Sequence, residues 1–166
     1  VEVSVPEWKA VDKSQLLEYV PQSSIMSVFV SSTGEFVSTM ILVFDEETGF
    51  RAAFDLMGIP MDERKPGRIS KEDLSSVLSE LANIVCASVL NSMANKTGLI
   101  IKPDVPDFTH GSASKFAEDV GVIMNRMKGG KILYISADFY RQDLQLIGRV
   151  FILPDRESMQ RFLRKL

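Results

Sequence analysis

Two stretches of this chain say nearly the same thing 110 residues apart. FVSTMILVFDEETGFRAA, starting at Phe36, lies without a gap over LIGRVFILPDRESMQRFL, starting at Leu146. Asp45 then falls on Asp155, Glu47 on Glu157, Thr48 on Ser158 and Arg51 on Arg161. A weaker match sets Val5-Pro6-Glu7-Trp8 over Val105-Pro106-Asp107-Phe108, and residues 13–20 over 114–120. Any two hairpin–helix units share a hydrophobic rhythm, but rhythm alone does not bring matching acids and a matching Arg to one offset. Two like halves imply an α+β fold: duplicated hairpin–helix units related by a pseudo-twofold axis, forming a central antiparallel sheet with long helices packed on it. The expectation is a single domain over 1–166, with the helices covering one face of the sheet.

Local signals fill in that frame. Residues 1–5 alternate and stop at Pro6, and 13–19 read as a short helix after Asp12, ended before Pro21. Residues 24–32 and 35–45, rich in Val, Ile, Phe and Thr, form a hairpin around Ser-Thr-Gly. Asp45 caps a helix that runs to Met57 and is ended by Gly58 and Pro60, and 59–68 is a polar loop. Residues 99–105 are a strand running into Pro106, 112–127 a helix stopped by Gly129-Gly130, and 131–141 with 144–153 a second hairpin. Asp155 caps the last helix.

The longest helix predicted is SKEDLSSVLSELANIVCASVLNSMANKTG, from Ser70 to Gly98. Ser70 with Asp73 three positions on is a helix start, and Lys96 followed by Gly98 is a helix end. Leu74, Val77, Leu78, Leu81, Ile84 and Val85 are expected to form its apolar face. Ser76, Glu80 and Asn83 fall at i, i+4 and i+7, one polar stripe that Ala87 and Ala94 continue with little bulk. In isolation such a stripe is most simply a solvated helix face. By the repeat, an equivalent helix in the first half would lie upstream of Val1, and a chain beginning without Met is expected to have lost residues there.

Composition narrows the function classes. A 166-residue chain can bury a sizeable core, and 45% apolar with 25% charged residues is ordinary for a globular protein. The net charge is -3 and no run of Lys or Arg stands out, so nothing points to nucleic acid or to an anionic membrane. The basic cluster Arg64-Lys65-Pro66-Gly67-Arg68 is read as a solvated loop. No apolar run is read as long enough to span a bilayer. Cys86 is the sole cysteine and is placed inside the long helix, which excludes an internal disulfide, fits a reducing cytoplasm and makes a buried structural thiol the simpler reading. With one His and one Cys, a zinc site lacks ligands. His110, in a Thr-His-Gly-Ser loop without a nucleophile elbow, gives little support to a hydrolase triad.

Ser76, Glu80, Asn83 and Pro106 together satisfy (Asp or Ser)-x3-Glu-x2-Asn-x22-Pro with every gap kept. That pattern resembles the signature of the CheC/CheX/FliY family of phosphatases, which act on the phosphorylated chemotaxis response regulator CheY. SSVLSELANIVCASVLNSMANKTGL resembles the second signature helix of CheC, and VEVSVPE the segment after its first, so the likeness runs over essentially the whole chain. The resemblance implies hydrolysis of an aspartyl phosphate, with Asn83 positioning water and Glu80 pairing with the regulator's lysine. It implies binding roles for Ser76, which stands where Asp is commoner, and for Pro106, which shapes the loop beside the helix. It implies no cofactor on this chain, the magnesium being held by CheY, and a cytoplasmic protein. Phosphorylated CheY is the implied partner, with the deamidase CheD and flagellar switch proteins as further ones. The competing readings are a module that binds CheY or a switch protein without hydrolysis, as in the FliM middle domain, and a FliY-type switch subunit with a further domain after Leu166.

Overall fold

The structure is a computed structural model, and it describes residues 2–4, 8–128, 131–141 and 144–166. Eight strands form one antiparallel sheet among the described residues: β1 (Glu2–Ser4), β2 (Trp8–Asp12), β3 (Ile25–Gly34), β4 (Ser38–Asp45), β5 (Ile101–Pro103), β6 (Asp107–Gly111), β7 (Lys131–Arg141) and β8 (Leu144–Pro154). The order is β1-β7-β8-β4-β3-β5, with β2 on the outer edge of β7 and β6 on the outer edge of β3. Four α-helices follow the chain as α1 (Glu46–Met57), α2 (Lys71–Thr97), α3 (Ala113–Met127) and α4 (Arg156–Lys165). Residues Lys13–Tyr19 form a 3-10 helix, and the expected polar loop at 59–68 carries two short 3-10 turns.

That strand order reads the same from either end, as duplication requires. At its centre β4 and β8 pair antiparallel, and Ile41 faces Phe151, 110 positions away, which is the offset of the sequence repeat. The flanking pairs exchange under the same offset: Thr39↔Leu153 matches Val43↔Arg149, and Met40↔Ile152 matches Leu42↔Val150. A pseudo-twofold axis normal to the sheet therefore passes between Ile41 and Phe151. The helix caps repeat as well. Asp45 accepts from the backbone N–H of Thr48 at 2.8 Å, and Asp155 accepts from that of Ser158 at 2.6 Å. These caps explain why both helices start where the sequence places them.

The helices do not keep to one face. Met26, Val28 and Val30 of β3 with Met40, Leu42 and Phe44 of β4 meet α1, α2 and Phe162 of α4 on one side. Ile25, Ile41, Val43, Phe151 and Leu153 meet Leu16, Val20, Phe116, Val120 and Met124 on the other. Both faces of β4 are thus buried, which is why Met40 to Phe44 reads as an unbroken apolar run rather than an alternation. Two other expectations are corrected. The strand predicted at 99–105 is confined to Ile101–Pro103, and Asp107–Gly111 is an edge strand with His110 in its ladder rather than in a loop. The Gly129-Gly130 stop lies outside the described residues, and Lys128, at φ 52°, supplies the left-handed end of α3.

Candidate functional site

Helix α2 carries the site. The Ser70 hydroxyl accepts from the backbone N–H of Asp73 at 3.0 Å, and Glu72 and Asp73 sit where the helix dipole favours acids. At the other end Gly98 takes φ 73° and its N–H donates to the carbonyl of Ala94 at 2.7 Å, closing 27 residues of helix. Leu74, Leu78, Leu81, Ala82, Val85, Cys86, Val89, Leu90 and Met93 are buried beneath it. Burial pushes the Cys86 thiol up to about 12, which leaves it inert as a nucleophile. By length and composition alone, α2 is apolar enough to cross a membrane, contrary to the expectation from the sequence. A helix buried against a sheet passes the same test, and α2 is such a helix.

Ser76, Glu80 and Asn83 are all exposed on the outer arc of α2, as their spacing predicts. Glu80 and Asn83 are helix neighbours, about 5–6 Å apart at Cβ, and Ser76 lies one turn before Glu80. No hydrogen bond or ion pair holds any of these three side chains among the described residues. Their donors and acceptors are therefore available to a partner, and an exposed pair on a long rigid helix is presented without a loop's mobility. Ala87 and Ala94, half-buried, keep the surface beyond Asn83 low. Pro106 is not in the stripe. It sits half-buried in the junction between β5 and β6, where both strands pair with β3 and α2 packs on them.

Sequence reasoning put one residue on the wrong side and missed two clusters. Ile84, expected in the apolar face, is 44% exposed beside Asn83. Arg64, read as loop, forms an ion pair with Asp55 of α1, whose side chain is only 5% exposed. Its Nε also donates to the carbonyl of Ile59 at 2.9 Å, and its guanidinium lies 5.9 Å from the centroid of Phe54. His110 Nε2 meets Glu46 at 2.8 Å and Phe50 edge-on, tying β6 to the start of α1. A hydrogen bond from Ser24, and then the His110 contact, hold the Glu46 carboxyl below its usual value of 4.5. Each of these pairings joins residues that only the fold brings together. No group of His, Cys, Asp and Glu able to hold a metal ion occurs among the described residues.

The CheC-like family matches this chain over residues 75–110, a segment that holds Ser76, Glu80, Asn83 and Pro106. The CheY-P phosphatase CheC of Bacillus subtilis is 23% identical over 97% of this chain and 78% of its own length. Among solved structures, FliY of Thermotoga maritima superposes at a TM-score of 0.69, with 14% identity over 99% of this chain and 82% of that one. A CheX–CheY complex with beryllofluoride and magnesium from Borrelia burgdorferi gives 0.55, with 21% identity over 87% and 91%. A FliG–FliM complex from H. pylori gives 0.59, with 12% identity over 99% and 82%. The resemblance to the CheC/CheX/FliY family therefore holds, and the fold is one that CheX, FliY and FliM share.

Proposed function

We propose that this chain is one CheC-like domain, acting in the cytoplasm to hydrolyse the aspartyl phosphate of a CheY-type response regulator. The observation that carries the proposal is the Glu80–Asn83 pair, exposed on α2 and held by no partner of its own. A response regulator supplies its own magnesium and lysine, so a phosphatase has to add a water held in line with the bond to be broken. A carboxamide suits that task, because it accepts a hydrogen bond from water without bringing charge near the phosphoryl oxygens. Asn83 takes that role, and Glu80, one turn earlier, pairs with the regulator's lysine and fixes the docking register. Ser76 borders the contact, while Pro106 shapes the strand junction under the helix. The chain needs no metal of its own in this scheme, and the magnesium stays with the regulator. The likeness to the B. subtilis phosphatase and the CheX–CheY complex supports this reading.

The FliG–FliM neighbour favours a second reading, a switch or regulator-binding module without hydrolysis. CheD remains a further candidate partner on family resemblance alone. One experiment separates the two readings. Labelled phosphoryl-CheY is mixed with the protein in magnesium, and both binding and phosphate loss are followed. Faster decay that rises with protein concentration supports the phosphatase. Binding with an unchanged phosphoryl lifetime would establish the binding module instead.

A further inference from the structure

Ile84 is 44% exposed midway along α2, whereas Val77, two turns earlier on the same flank, is half-buried against the core. A β-branched residue on a solvated helix surface forgoes the better helix propensity of Gln, Glu or Lys and leaves apolar area in water. A lone exposed apolar residue needs no explanation in general, but the placing of this one is specific. It directly follows Asn83, stands one turn beyond Glu80, and borders the low surface at Ala87. Val77 and Ile84 lie on one flank of the stripe, where Asp73 and Asn91 are also exposed, and Glu72 and Ser79 lie on the other.

We infer that Ile84 is the apolar anchor of the docking surface, seating against the regulator beside the Glu80 contact. The inference rests on the docking of a phosphorylated regulator on α2 proposed above. Its occupant is that regulator, because the exposed, unpaired carboxylate of Glu80 continues the same surface and a CheX of similar fold is found in complex with CheY. Interfaces of this kind place a desolvated apolar side chain at the centre and polar groups around it. Exclusion of bulk water also strengthens the polar contacts made next to it. Ile84 acts on affinity, and the amide of Asn83 acts on the bound phosphoryl group.

The test uses Ile84→Gln and Ile84→Leu with two separate readouts. One is the dissociation constant for CheY activated by beryllofluoride, and the other is phosphoryl-CheY decay at saturating protein. Ile84→Gln should weaken binding about tenfold, or about 1.4 kcal/mol, and keep the saturated decay rate within about threefold. Ile84→Leu should restore binding, and Ile84→Gln should melt close to wild type, since substitutions at exposed positions usually shift stability by only about half a kcal/mol. Unchanged binding by Ile84→Gln overturns the inference, and so does a wild type that fails to bind activated CheY. A wild type that binds but does not speed decay defeats the phosphatase reading alone, and the binding readout still decides the role of Ile84.

Discussion

At the scale of single residues, the molecule separates side chains that hold it together from side chains it leaves for others. Arg64 and Asp55 belong to the first kind. Asp55 is nearly sealed, so Arg64→Met would strand a carboxylate away from its ion partner, and such losses cost about 3 kcal/mol or more. Urea unfolding should show that drop, and adding Asp55→Asn should recover much of it. A drop no larger than for an exposed surface pair would mean that the bridge is incidental. Glu80 belongs to the second kind. Glu80→Ala should leave the melting temperature unchanged while raising the concentration of CheY needed for half-maximal decay, with little change in the saturated rate. That concentration should also rise with salt for wild type, as an interface ion pair requires.

At the scale of elements, α2 is specified at its ends by local chemistry and along its length by the fold. Ser70→Ala removes an N-cap bond, which should cost about 1 kcal/mol in unfolding measurements without altering the exposed stripe. The same locality made the element starts at Asp45, Ser70, Ser112 and Asp155 legible, because each cap contacts a backbone N–H three residues away. Ser76, Glu80 and Asn83 were legible as one stripe for a related reason, since helical spacing alone puts them together. Ile84 was misplaced because periodicity counts apolar residues and cannot see which of them the sheet reaches. Strand β6 was missed because Asp107–Gly111 is an edge strand, held by its pairing with β3 some eighty residues earlier and not by its own propensity.

At the scale of the whole molecule, the duplication is written in the sheet register. The Ile41↔Phe151 pair sits on the axis, and the two residues are equivalents under the 110-residue offset of the sequence repeat. The second helical layer was not foreseen, because unbroken apolar runs in β4 signal two covered faces only after the strand itself is placed. Sheet and flanking helices together form a rigid base that presents one face of α2 outward, and the account turns on what Asn83 does there. The most direct measurement is single-turnover decay of phosphoryl-CheY bound to excess protein, wild type against Asn83→Ala. The account predicts that Asn83→Ala binds phosphoryl-CheY with unchanged affinity and loses about a hundredfold of any bound-state acceleration, the scale expected when a reacting water is no longer positioned. A bound-state decay rate that Asn83→Ala leaves at the wild-type value would contradict it.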